Sequence, residues 1–390
     1  MPSGYYRYPT IHAETIIFVC EDDLWTVSTQ GGVARRLTSN LGEITHPRLS
    51  PDGSRVAFVG RDDGQPEIYV MPALGGQARR LTFQAGSQVL VADWTSSGRI
   101  LYANNAGQPF QQLIHLYTID PTGGEPERLN YGPARAAAFG PDGSVLLGRN
   151  IGDPARWKRY RGGTAGQLWI DSAGSGEFHP LLNLKGNLTS PMWLGERIYF
   201  LSDHEGSGNL YSCLADGGSV RRHSDHADFY ARGASSDGQR IVYHAGADLY
   251  LFDPASDSSH RIEIEFYSPQ IQRSRRFANP ERYLVSWAVH PQGVAMVAES
   301  RSFVYSFFNW EGPVIRHGDP ENPARFRLAD WLNDGRRMVA VSDAQGEEVF
   351  VILTADASQP PVFLPQLDIG RPEATAVNPE KDQIVFSNHR

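Results

Sequence analysis

Residues 43–82 read as one folding unit, and the rest of the chain repeats it. Ser50-Pro51-Asp52-Gly53 is a tight turn: proline presets the first φ, aspartate bonds its own backbone, and glycine accepts a positive φ. It joins a strand-forming segment at 43–49 to a second at 55–59. A polar loop, a third strand at 67–71, a Gly75-Gly76 turn and a last strand ending at Leu81-Thr82 complete the unit. Four antiparallel strands in about 42 residues make one blade of a β-propeller. A blade cannot bury both of its faces alone, so the repeat commits the chain to stacked copies.

Six copies align. The glycine of the first turn recurs at Gly53, Gly98, Gly143, Gly195 and Gly238, spaced 43 to 52 residues apart. The first and sixth copies each own four strands, so the ring is expected to close through apolar contacts alone, with that seam its softest joint. The pattern breaks at 266–280, where Arg273, Arg275 and Arg276 among polar residues suit a solvated linker. It restarts at His290-Pro291-Gln292-Gly293, Asn333-Asp334-Gly335 and Ala376-Val377-Asn378-Pro379 and stops halfway through a blade at Arg390. The fold class expected is therefore all-β: a six-bladed β-propeller over 1–265, a linker over 266–280, and over 281–390 the first two to three blades of an incomplete second propeller. Such blades need neighbours outside the sequence, so the chain is expected to be a fragment.

Gly 39 and Pro 26 fit many short strands joined by tight turns. A net charge of −8 with both signs scattered argues against a nucleic-acid surface. No stretch approaches 18 apolar residues and the first residues lack a signal-peptide pattern, so neither membrane nor export is expected. Cys20 and Cys213, the two cysteines, belong to blades that do not adjoin and suit buried thiols in a reducing cytoplasm.

Loops between second and third strands share one face of a propeller. Most are short, but blades three and four carry long ones, at 104–115 and 150–166. The first contains Asn105 and Gln108, the second Arg156-Trp157-Lys158-Arg159-Tyr160-Arg161, four cations and two aromatics in six positions. Neighbouring long loops on one face form a surface for a partner or for acidic groups, and these eight residues are the expected contacts. The alternative is a solvated insertion whose aromatics cover a blade edge. The pairs Arg35-Arg36, Arg79-Arg80 and Arg221-Arg222 fall in outermost strands and read as edge protection. His223, Asp225, His226 and Asp228, like Asp203-His204-Glu205, read as solvated loop rather than a metal shell. No nucleophile elbow, zinc helix or phosphate loop is present, so no catalytic residue, metal or cofactor is assigned.

Several longer stretches resemble the N-terminal part of the tricorn proteases: Ile16-Ile17-Phe18-Val19-Cys20-Glu21-Asp22-Asp23-Leu24-Trp25, Gly148-Arg149-Asn150, Trp157-Lys158-Arg159-Tyr160-Arg161-Gly162-Gly163-Thr164, Arg197-Ile198-Tyr199-Phe200-Leu201-Ser202-Asp203 and His223-Ser224-Asp225-His226. The resemblance implies a six-bladed propeller followed by a seven-bladed one, ahead of domains that hold a serine protease site. It also implies a cytosolic, oligomeric peptidase trimming oligopeptides released by larger proteases, with propellers acting as channels and filters. The partners implied are oligopeptide substrates and other domains or subunits of such an assembly. The family's catalytic residues lie beyond Arg390 and none transfers, so these 390 residues are expected not to hydrolyse peptides. A stand-alone TolB-like binding propeller and the propeller of a prolyl-oligopeptidase-like hydrolase are the alternatives.

Overall fold

The computed structural model describes residues 4–39, 42–153, 155–156, 158–270, 279–319, 321, 324–365 and 367–389. They are strands and turns, with one 3-10 turn at Pro141–Gly143 and one helical turn at Pro280–Tyr283. The chain divides into two units, Met1–Ser274 and Arg275–Arg390.

The first unit contains six antiparallel sheets in chain order. Each is a four-stranded meander opened by an inner strand: Arg7–His12, Thr45–Leu49, Val89–Trp94, Ala136–Phe139, Leu188–Leu194 and Arg232–Ser236. The middle strands are apolar on both faces, so alternate residues serve different cores. In the fifth sheet Ile198 and Phe200 pack with Leu146 and Leu168 of the fourth, whereas Tyr199 and Leu201 pack with Ile241 and Phe252 of the sixth. Comparable clusters fill the other gaps, and Val242, Leu249 and Leu251 of the sixth sheet meet Ile16, Phe18 and Trp25 of the first. Sheets stacked in this way form a β-propeller.

The seam between first and last sheets is not held by apolar contact alone, as the sequence suggested. Ile264–Glu265 pairs in parallel with Gly31–Arg36 and adds a fifth strand to the first sheet. Gly32 N donates to Glu263 O at 2.9 Å, and Ser235 Oγ to Pro9 O at 3.1 Å. Phe266, assigned above to a solvated linker, is 6% exposed and packs its ring on Trp25 (4.4 Å) and Tyr6 (5.6 Å). Ser268 continues the attachment with a hydrogen bond to Glu21. Residues 271–278, with Arg273, Arg275 and Arg276, lie outside the described residues.

The arginine pairs do more than guard an edge. The second arginine of each reaches back along the strand end: Arg36, Arg80 and Arg222 donate Nε to the carbonyls of Thr38, Thr82 and Ser224 at 2.8–2.9 Å. Those hydroxyls accept the backbone N–H of Leu24, Ile68 and Leu210 at 2.9 Å. They also donate to Asp23, Glu67 and Asn209 at the start of the neighbouring strand. The recurring Arg-Arg-x-Thr/Ser is thus a cap that satisfies strand-end donors which the ladder leaves free.

The second unit has sheets Leu284–Val289 to Ile315–Arg316 and Phe326–Trp331 to Val362–Leu364, then the pair Pro372–Val377 and Ile384–Asn388. Val297 and Val304 pack with Trp331, Met338 and Val351 between the first two sheets, and Phe350 with Ile384 between the next. On its first strand Trp287 stays 62% exposed, and on its last Val385 stays 68% exposed.

Candidate functional site

The six inner strands of the first unit are neighbours in a closed circle, each touching the next and the sixth touching the first. Most are broken near their start. The register gains a residue between Arg7 and Thr10, Thr45 and Arg48, Thr189 and Met192, and Arg232 and Ser235. Tyr8, His46, Ser190 and Gly233 take φ of +48° to +58° at these bulges. Pro9, Pro47 and Pro191 follow three of them, since a residue without N–H loses nothing at an unpaired position. A bulge re-aims side chains. Here it brings the Tyr8 and His46 rings to 4.4 Å, with the His244 ring edge-on to Tyr8 at 6.2 Å.

Neither ring nitrogen of His244 has a partner among the described residues, nor has Nδ1 of His46. Burial, reinforced by Arg48, Arg7 and Arg135, holds His46 down at about 3. Burial with Arg232 and Arg7 puts His244 at about 3 as well. Burial also raises Tyr8 above its ordinary range. The centre of the unit therefore holds two neutral imidazoles beside arginines, with the Asp153 and Glu43 carboxylates acting on the neighbouring Tyr8.

The two long loops lie at the end of the strands where these inner strands begin. Asn105 is buried and structural: its Oδ1 accepts Gln88 N, and its Nδ2 donates to Ser87 Oγ and Gln111 O, all at 3.0 Å. Gln108 closes a turn onto Asn105 O (3.1 Å) and its side chain is half-buried. In the second loop Arg156 is exposed and its N–H bonds Asp153 O at 3.0 Å. The Lys158 ammonium lies 5.3 Å from the centre of the Tyr230 ring. Arg159 donates its backbone N–H to Asp203 Oδ2 at 2.7 Å, and Tyr160 accepts from Thr164 at 3.1 Å. Lys158, Arg159, Tyr160, Arg161 and Gly162 line an open depression. Trp157 lies outside the described residues.

What holds the loop was not read from the sequence. Asp203 is 2% exposed and accepts Asn187 N (2.7 Å) beside Arg159 N, so it anchors the loop rather than facing water. Asp153 accepts two hydrogen bonds from one edge of the Arg232 guanidinium, Nε (2.8 Å) and Nη2, and Arg232 Nη1 donates onward to the Tyr5 hydroxyl at 3.0 Å. A loop of the fourth sheet is thereby tied to the fifth, the sixth and the chain start. The first long loop joins the same region through Arg135, which donates to Gln112 Oε1 at 3.0 Å.

The histidines of the metal reading are engaged elsewhere: His226 Nε2 with the Tyr243 hydroxyl at 3.0 Å, His204 Nδ1 with Ser202 Oγ at 3.0 Å. Among the described residues no cluster suits a metal ion. His223 does stand between Ser212 Oγ (2.6 Å) and Asp257 Oδ1 (2.5 Å), in the order of a hydrolytic triad. Ser212 is wholly buried and its oxygen already takes Arg197 Nε at 2.9 Å. The same serine–histidine pair recurs at Ser306 and His317 (2.8 Å) in the second unit, which marks it as a packing device.

Residues 3–258 match the family model described as the tricorn protease N-terminal beta propeller domain. The chain belongs to the tricorn protease family. A tricorn protease homolog of Saccharolobus solfataricus is 35% identical over 393 residues, covering 99% of this chain and 35% of its own length. A Tricorn-like protease N-terminal subunit of Sulfurisphaera tokodaii is 30% identical over 171 residues, covering 43% of this chain and 86% of its own. The crystal structure of the tricorn protease superposes with a TM-score of 0.82 at 28% identity, over 97% of this chain and 37% of that one. The chain thus spans about a third of the length of the full tricorn relatives it matches. Among the described residues no helix is long and apolar enough to cross a membrane.

Proposed function

We propose that this chain supplies the substrate-filtering propeller region of a tricorn-like serine peptidase acting on oligopeptides in the cytoplasm, with catalysis supplied by domains outside these 390 residues. In this reading residues 1–265 form a six-bladed propeller with a peptide path along its centre. Residues 281–390 begin a second, seven-bladed type, and the whole works within a homo-oligomer. The observation that carries the reading is the 150–166 loop. It is clasped at two points, Arg159–Asp203 and Asp153–Arg232, where the inner strands begin. It leaves Arg156, Lys158, Arg159 and Arg161 exposed toward solvent. A tethered cationic loop at a channel mouth screens what enters by charge and size. Asn105 supports the neighbouring loop on which Gln108 sits.

A dansyl-labelled octapeptide of mixed sequence is expected to bind the intact chain. Arg159→Ala with Arg161→Ala is expected to weaken it by about five- to tenfold, a typical loss for charge contacts of this exposure. Both side chains are exposed, so the fold tolerates the change. Unchanged affinity removes these residues from the site.

A further inference from the structure

Resting on the reading of the first unit's centre as a peptide path, we propose that this path selects acidic peptides, their carboxylates received by Arg7, Arg48, Arg135 and Arg156. Arg7 opens the first inner strand, Arg48 lies on the second, and Arg135 directly precedes the fourth. Arg156 lies exposed on the 150–166 loop and acts on Arg135 as a like charge. Arg7 Cζ lies 5.8 Å from the centre of the Tyr8 ring, itself 4.4 Å from His46, and Arg48 and Arg135 act on the same imidazole, so arginines of three sheets lie about one place.

The acids do not balance them. Asp153 is consumed by Arg232; Asp93, exposed on the third inner strand, offsets Arg48, which also donates Nε to Ala92 O at 3.1 Å and Nη1 to Pro47 O at 2.9 Å. Arg7 has Asp22 at 3.6 Å, with the Asp22 side chain 43% exposed. Arg135 bonds the neutral amide of Gln112 and feels Arg156 as a like charge; burial first, then that repulsion, lowers it from the ordinary arginine range. The charges acting on the two central histidines are arginines, and the two carboxylates that act on the neighbouring Tyr8, Asp153 and Glu43, are each held by an arginine of their own, Arg232 and Arg61. The chain as a whole carries −8, so the positive centre is a local arrangement rather than a reflection of composition. A channel with low-dielectric walls focuses such a field, and a guanidinium meets a carboxylate through two parallel hydrogen bonds.

The test uses two dansyl-labelled hexapeptides differing only in Glu for Lys at three positions, titrated against the intact chain by fluorescence anisotropy. The acidic peptide is expected to bind about tenfold tighter or more at low salt, and the preference to shrink severalfold between about 0.05 and 0.5 M salt. Arg135→Gln with Arg156→Gln is expected to remove most of the preference. Arg156→Gln alone, at an exposed position, is expected to remove part of it if the double variant does not fold. Equal, measurable affinity for both peptides overturns the charge selection and leaves the path in place. Absence of binding by either peptide overturns both. A preference that survives in the variants overturns the assignment to these arginines.

Discussion

Phe266→Ala is expected to destabilise the first unit by about 3–5 kcal/mol, the usual cost of emptying a buried aromatic site. The ring lies between Trp25 and Tyr6 and, with Ile262 and Ile264, forms the apolar face of the segment that latches the last sheet to the first. Its removal is expected to lower the unit's melting temperature by roughly 6–20 °C, at about 2–4 °C per kcal/mol for a domain of this size. Gly31→Ala attacks the same joint from the other side. Gly31 has φ +83°, and an added Cβ would stand 2.4 Å from Glu263 O, so the parallel pairing must open. Calorimetry of both variants checks the latch. An unchanged transition for both would show that the ring closes without it.

Acid is expected to weaken the first unit well above the range in which its carboxylates titrate. His46 and His244 sit near 3 in the folded chain against 6.5 unfolded. A histidine lowered in this way contributes its full stability above pH 6.5 and loses it as pH falls toward 3, because only the unfolded chain takes up the proton. At pH 4.5 the loss is up to about 2–3 kcal/mol for each, from about 1.4 kcal/mol per pH unit below the unfolded value. Denaturant unfolding at pH 7 and pH 4.5 measures it. His46→Gln with His244→Gln is expected to flatten the slope by up to two protons. A slope identical to the parent's would contradict neutral histidines at the centre.

The blades were legible because their signals are local. The turn at Pro51-Asp52-Gly53 and the runs around Val56 and Ile68 state a strand, a reversal and a strand within a few residues. The latch was also written locally, in Ile262-Glu263-Ile264-Glu265-Phe266, where apolar and charged residues alternate with the period of a strand. It was passed over because its partner, Gly31–Arg36, lies some 230 residues away and pairs in parallel. The inner bulges had a sign too, in Tyr8-Pro9, His46-Pro47 and Ser190-Pro191, prolines set inside strands.

The site was only half legible. Length and composition singled out 150–166, but its anchors are ordinary residues made special by burial. Asp203 looks like any loop aspartate until the fold closes Arg159 N and Asn187 N around it. Arg232 meets Asp153 across 79 positions of sequence, a separation no spacing rule covers. The arginines of the centre, likewise, are spread over three sheets and come together only when the inner strands form their circle.

Hydrogen–deuterium exchange of the intact chain, with and without saturating octapeptide, tests the central claim most directly. Amides of residues 105–114 and 158–166 are expected to exchange more slowly in the presence of peptide. The hairpins around Gly75 and Gly217, at the opposite ends of the strands, are expected to be unaffected. Protection confined to those hairpins, or none at saturation, would contradict a peptide path entered beneath the 150–166 loop.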